Sequence, residues 1–183
     1  MYKLLTERMY LVLSNRNLAK AVSAFNIKNI GALAETEPSR PDGYYTVSGQ
    51  RKFLSMEKKE ADRCESFRFW LYEKGGKEVI GTVCVSGIIF GSVKSGYLSY
   101  KIDSDKQGQG FATEAVLEVI DFVFNVLELH RIETLIMPKN EKSIRIMEKA
   151  GFMPEGISKQ CLEVCGKWED HLRFALINDR VAP

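Results

Sequence analysis

Apolar and polar positions follow two different rhythms along the chain. Residues 8–13 predict a short strand. After it, Leu18, Ala21, Val22 and Phe25 recur at three- and four-residue intervals, so 15–25 predicts a helix with one buried face. A second short helix is expected at 27–33 and a third at 47–59. Between them, 37–43 is a loop punctuated by Pro38, Pro41 and Gly43. From Ser66 onward the pattern alternates residue by residue, which predicts strands at 66–73, 78–85 and 96–102. Lys74-Gly75-Gly76-Lys77 supplies a hairpin turn, and Gly87 and Gly91 bracket a loop. The apolar run 111–127 predicts the longest helix. A strand at 131–137 ends at Pro138, and a short helix at 141–149 closes on Gly151, a favoured residue just past a helix end. Strands at 157–164 and 168–175 form a last hairpin around Cys165-Gly166-Lys167. Seven strands interleaved with helices predict an α/β (α+β) fold, a mixed sheet with helices packed on it.

Composition narrows the class. The 183 residues carry 26 Lys plus Arg against 24 Asp plus Glu, which gives no broad basic field for nucleic acid. The length predicts one domain, 1–183, able to bury a core without disulfide or metal staples. No apolar run is long enough to predict a membrane helix, and the start lacks the pattern of a signal peptide, so a cytoplasmic protein is expected. Cys64, Cys84, Cys161 and Cys165, with only His130 and His171, do not match zinc-ligand spacing, so no metal is expected.

The segment that carries chemistry joins a strand to the longest helix: Tyr97-Leu98-Ser99-Tyr100-Lys101-Ile102-Asp103, then Ser104-Asp105-Lys106, then Gln107-Gly108-Gln109-Gly110-Phe111-Ala112-Thr113. The first N–H groups of a helix have no internal partner, and the helix dipole adds to their pull on an anion. Gly108 and Gly110 clear side chains from the approach. A P-loop needs Gly-Lys-Ser/Thr where this chain has Gly110-Phe111-Ala112. A dinucleotide fingerprint needs a third glycine where it has Thr113. The remaining pattern is a Gln/Arg-x-x-Gly-x-Gly/Ala pyrophosphate loop, matched by Gln107, Gly110 and Ala112.

That loop resembles motif A of the GNAT N-acetyltransferases. His130-Arg131-Ile132, the run from Met137 to Ser143, the run from Lys149 to Gly156, and Gly166-Lys167-Trp168-Glu169-Asp170-His171 are similar to the rest of the same fold. Leu5 to Leu11 and Gly81-Thr82-Val83 resemble its opening and central strands. The resemblance spans about 6–177 and comes nearest to the RimJ/RimL branch, which acetylates N-terminal alanine of ribosomal proteins. It implies a mostly antiparallel seven-stranded GNAT sheet with two splayed central strands and acetyl-CoA as co-substrate. The backbone of Tyr100, Lys101 and Ile102 would hold the pantetheine. Gln107, Gly108, Gln109, Gly110, Phe111, Ala112 and Thr113 would hold the pyrophosphate. Asn140 and Ser143 suit helix capping; the resemblance also places Asn140 at the pantetheine arm and Ser143 near the sulfur or the pyrophosphate.

The implied reaction moves acetyl from a thioester to an amine. The acceptor is a protein N-terminus or a small amine such as a polyamine or an antibiotic; the alternative is a module that binds acetyl-CoA without catalysis, and a homodimer is also implied. An α-amino group with pKa about 8 is roughly a tenth neutral at pH 7, whereas a lysine near 10.4 is well under a thousandth neutral. An N-terminal amine therefore needs only modest help from a base. The two carboxylates usual in relatives are missing: Tyr97 stands at one position and Leu162 at the other. Tyr97, Glu155 and Glu163 are the remaining catalytic candidates beside Ser143 as proton donor, and each also reads as an ordinary sheet or surface residue.

Overall fold

The computed structural model describes residues 2–33 and 40–179, so Glu37 to Ser39 of the expected loop lie outside the described residues. The elements run β1 (Lys3–Leu5), β2 (Met9–Leu13), α1 (Ala19–Leu33), α2 (Val47–Asp62), β3 (Phe67–Glu73), β4 (Val79–Ile89) and β5 (Ser95–Ile102). They continue with α3 (Phe111–Asn125), β6 (Arg131–Ile136), α4 (Glu141–Lys149), β7 (Met153–Val164) and β8 (Lys167–Ile177). The eight strands form one sheet in the order β1-β2-β3-β4-β5-β6-β8-β7. Every neighbouring pair is antiparallel except β5 and β6, which are parallel.

The architecture is the expected mixed sheet with flanking helices, and the differences have local causes. The added strand, β1, is three residues long and pairs across a tight turn with β2, too short to show a period of two. The two expected early helices are one: Asn15 caps a 3-10 turn, and α1 then runs unbroken from Ala19 to Leu33. Asn29 is fully buried there because its amide group is satisfied, donating to the Phe25 carbonyl at 3.0 Å and accepting from Ser104 N–H at 3.0 Å. β4 continues past Gly87, with a register shift between Ser86 and Ile89, so its hairpin turn falls beyond Ile89.

The two faces of the sheet are covered differently. Phe67, Phe69 and Leu71 of β3, with Leu98 and Ile102 of β5 and Ile132 and Ile136 of β6, point to the face under α3. There they meet Phe111, Ala115, Val119 and Phe122, one buried stripe of an amphipathic helix. On the other face Trp70 and Val79 pack against Ala19, Val22, Phe25 and Leu54 of α1 and α2. Arg68 pairs with Glu57 of α2 at 2.7 Å on this side, and Ser14 donates to the same carboxylate at 2.7 Å. Farther along this second face Tyr97 and Ser99 of β5 remain exposed.

Gly81 on β4 is where the sheet tolerates no side chain. A Cβ there would sit 2.5 Å from the Lys101 carbonyl oxygen, 2.8 Å from Ile102 Cδ1 and 3.1 Å from Leu71 Cδ1. The backbone of β5 cannot yield without moving the strand. Gly81→Ala is expected to lower unfolding free energy by about 1–3 kcal/mol, read from the urea midpoint; an unchanged midpoint would show that β5 shifts freely.

Candidate functional site

The parallel pairing of β5 with β6 lasts three rungs: Ser95 with Arg131, Gly96 with Ile132 and Tyr97 with Glu133. Both strands continue, to Ile102 and Ile136, without pairing to each other. The central strands therefore splay as expected. Hydrogen-bond parity shows which backbone groups line the opening. Asp103 N–H donates to the Ile80 carbonyl at 2.9 Å, so Lys101 and Ser99 turn their backbone groups to β4. On the other edge the Lys94 carbonyl accepts from Arg131 N–H at 3.0 Å. The same alternation aims Leu98, Tyr100 and Ile102 at the opening. This corrects one residue of the expected set: the backbone of Lys101 is turned to Thr82 on β4, and that of Leu98 faces the gap instead.

β5 leads from this opening directly into the glycine loop. Gln107 is extended, with φ −66° and ψ 152°. Gly108 and Gly110 adopt φ of 74° and 84°, a left-handed conformation that other residues reach only with strain. Gly110 is the N-cap of α3 and no side chain caps it. The leading amides of Phe111, Ala112 and Thr113 thus start the helix with no capping side chain, beside an exposed loop. Gln109 is turned back, its side-chain amide donating to the Asp105 carbonyl at 2.8 Å, and Lys142 of α4 reaches Gln107 Oε1 at 3.3 Å.

The start of α4 lies across the opening. Asn140 Oδ1 accepts from Ser143 N–H at 3.1 Å, the expected cap. The Tyr100 hydroxyl donates to Ser143 Oγ at 2.9 Å. Burial pushes the Tyr100 phenol up, and the Ser143 contact only partly opposes this, so the phenol stays protonated and remains a donor. With Oγ accepting from Tyr100, the Ser143 proton is free to point elsewhere. Tyr100, Asn140 and Ser143 are therefore brought together.

The other catalytic candidates scatter. Tyr97 is exposed on the last paired rung. Glu155, on β7, is held by both terminal nitrogens of Arg131, one at 2.8 Å, which keeps its carboxyl below the usual range and makes it a poor base. Glu163 is exposed opposite Trp168 near the tip of the β7–β8 arm, with β8 between its strand and β6. Two residues escaped the sequence reading. Arg8 braces the loop: its Nε lies 2.6 Å from Glu114 Oε2, its Nη1 donates to the Gln109 carbonyl at 2.9 Å, and its guanidinium sits 4.3 Å from the Phe111 ring centre. Glu133 stands at the apex of the splay. Neither stands out in the sequence: Arg8 follows Glu7, and Glu133 lies between Ile132 and Thr134.

Residues 20–153 match the family model described as "Acetyltransferase (GNAT) domain". Over 139 residues the chain is 40% identical to "Probable N-acetyltransferase YjcK" of Bacillus subtilis (strain 168), covering 76% of this chain and 77% of that protein. The crystal structure of ribosomal-protein-S5-alanine acetyltransferase from Vibrio fischeri is similar at 31% identity with a TM-score of 0.95, covering 100% of both chains. Mycobacterium smegmatis RimJ in complex with CoA-disulfide shares the fold at 24% identity and a TM-score of 0.86, covering 100% of this chain and 93% of that one.

The Arg8 brace yields a pH-dependent prediction. Burial alone pushes the Glu114 carboxyl up, but hydrogen bonds from Thr6 and Arg8 more than offset this and hold it below its ordinary value of 4.5. A depressed carboxyl stabilises the fold above its unfolded pKa, and that contribution is lost as pH falls through the folded value. Arg8→Met is expected to cost about 1 kcal/mol at pH 7, a modest figure because the pair is partly exposed to solvent. The cost should shrink as pH falls below about 4, as urea titrations across pH would show; a pH-independent cost would remove Glu114 from the account.

Proposed function

The chain belongs to the GNAT acetyltransferase family and is an N-acetyltransferase; on that premise we propose that it moves acetyl from acetyl-CoA to the N-terminal α-amino group of a protein, by direct attack within a ternary complex. In this reading residues 1–183 act as one domain. The observation that carries it is the three-rung β5–β6 pairing, flanked by an uncapped helix start on one side and the Tyr100–Ser143 pair on the other.

The pyrophosphate sits on the amides of Gly108 to Thr113, where the helix dipole and the missing glycine side chains favour it. The pantetheine enters the gap as a strand would, against the backbone groups of Leu98, Tyr100 and Ile102. An inserted extended chain needs neighbours about two strand spacings apart, roughly 10 Å, which is what ending the pairing early permits. The thioester then lies toward the apex. A gap-facing N–H polarises its carbonyl where charge develops in the transition state. The amine attacks the carbonyl carbon, the C–S bond breaks, and the Ser143 hydroxyl donates to the leaving sulfur while Tyr100 holds its oxygen in place. Holding both reactants in one site supplies much of the acceleration.

The acceptor reading rests on chemistry and likeness. The second face at β5 is open beside exposed Tyr97 and Ser99, giving a chain end access from outside the sheet. An α-amine is far more often neutral at pH 7 than a lysine or polyamine amine. The Vibrio fischeri relative is described as acting on an alanine of a ribosomal protein.

Three outcomes test the proposal. Purified protein with acetyl-CoA is expected to release thiol with alanine-starting peptides, and an N-terminally blocked copy should give none; acetylation of polyamines or aminoglycosides alone would overturn the acceptor reading. Gly110→Asp combines a side chain at φ 84° with a charge against the phosphates, and should weaken coenzyme binding at least tenfold by calorimetry; unchanged affinity would remove the loop from the site. Ser143→Ala should lower kcat about a hundredfold with little change in coenzyme affinity; an unaltered kcat would exclude it as the donor.

A further inference from the structure

The proposed reaction lacks a group to take the ammonium proton: Glu155 is tied to Arg131, Glu163 lies near the tip of the β7–β8 arm, and Tyr97, though at the apex, carries no carboxylate. We propose that Glu133, the β6 residue on the last rung before the central strands part, is the catalytic base; this rests on the α-amine reading above.

Position comes first. Glu133 is in register with Tyr97, and beyond this rung β5 and β6 no longer pair. Its strand neighbours Ile132 and Thr134 are buried on the α3 face. Strand alternation sends Glu133 to the opposite face, the one Tyr97 and Ser99 leave open. Coenzyme entering along the gap and an amine arriving from the open face therefore meet at this residue. Tyr97 to Ile102 spans about 17 Å of strand, so the apex lies well away from the phosphate loop, where a long arm would deliver its reactive end.

The environment of the carboxylate is the second observation. Its side chain is only 13% exposed. Oε1 accepts from Arg131 Nε at 3.2 Å. Oε2 is buried and accepts no hydrogen bond among the described residues; Arg173 Nη1 approaches it only to 3.5 Å. Oε2 is thus held by the charge of Arg173 but by no hydrogen bond, so it keeps acceptor capacity that a ligand donor can use. An ammonium, or a water bound to one, is such a donor. Arg131 does not compete fully, because both its terminal nitrogens are committed to Glu155. Arg131 on its own strand, Tyr97 on β5, Arg173 on β8 and Glu155 on β7 are the titratable and charged groups around it.

Glu133 takes one proton from the acceptor ammonium through a bridging water. The freed lone pair forms the C–N bond at the thioester carbonyl. As the carbonyl re-forms, the C–S bond breaks and its electron pair stays on sulfur. As Ser143 gives its proton to sulfur, the second nitrogen proton passes through water to the Ser143 oxygen and restores its hydroxyl. Glu133 then returns its proton to solvent, so each turnover yields amide, thiol and one proton.

The test is a kcat/KM profile from pH 6 to 9 for the parent, Glu133→Gln and Glu133→Asp with an alanine-starting peptide. The parent should stay nearly flat up to the amine's own pKa, about 8, because the ammonium form binds and is deprotonated in place. Glu133→Gln should lose about a hundredfold at pH 7. Its rate should then climb close to tenfold per pH unit until the amine's own pKa, about 8, leaving a much smaller deficit at pH 9. Glu133→Asp should keep the flat profile at a lower rate, which separates loss of a base from loss of packing. A deficit in Glu133→Gln that is absent, or equally large at every pH, would overturn the assignment. Absence of peptide acetylation by the parent itself would instead overturn the α-amine reading, so the two failures are distinguishable.

Discussion

The structure depends on a parallel ladder that stops after three rungs. Two central strands that kept pairing to Ile102 and Ile136 would make a closed sheet, with every gap-facing N–H and carbonyl satisfied internally. Stopping at Tyr97 and Glu133 leaves a row of backbone groups that need an extended partner. The fold supports the opening from outside it. α3 fills one face with a continuous apolar stripe, β4 holds Lys101 and Ser99 from the far side, and the β7–β8 arm holds β6 from Arg131 to Ile136. Gly81 lets β4 and β5 approach closely opposite Ile102, at the far end of the splayed stretch.

Charge is handled with little net excess. The chain's balance of +2 gives no hint of an anion site, because the loop uses backbone amides rather than a surplus of Lys and Arg. The nearby cations are largely occupied: Arg8 by Glu114, Lys106 by Glu73, and Lys28 by Asp103 and Asp105. They stiffen the loop more than they attract a ligand. At the apex a carboxylate sits largely buried, ion-paired to Arg131 and Arg173, with one oxygen accepting no hydrogen bond among the described residues. One end of the gap thus presents backbone amides, and the other a carboxylate with spare acceptor capacity.

What could be read from the sequence follows physical range. Strand alternation and the stripe of α3 are local patterns, and they placed most elements within a few residues of where they lie. Gly108, Gly110, Asn140 and Ser143 were legible because positive φ and helix capping are local demands. The expected break fell at Asn26, between 15–25 and 27–33, and α1 runs straight through it, packed by Phe25 and Val22 against β3 and α2. Arg8 reaches Glu114 across more than a hundred residues, and Glu133 gains its meaning only from where β5 leaves β6. Hydrogen-bond parity, which moved the gap-lining role from Lys101 to Leu98, likewise needs the paired strands.

A crystal structure with coenzyme A bound tests the central claim most directly. The account predicts the pantetheine lying between β5 and β6, its amides bonded to backbone groups of Leu98, Tyr100 or Ile102, its pyrophosphate on the amides of Gly108 to Thr113, and its sulfur near Ser143 Oγ on the α3 side of Glu133. A coenzyme seated elsewhere, with β5 and β6 closed into a continuous ladder, would contradict it.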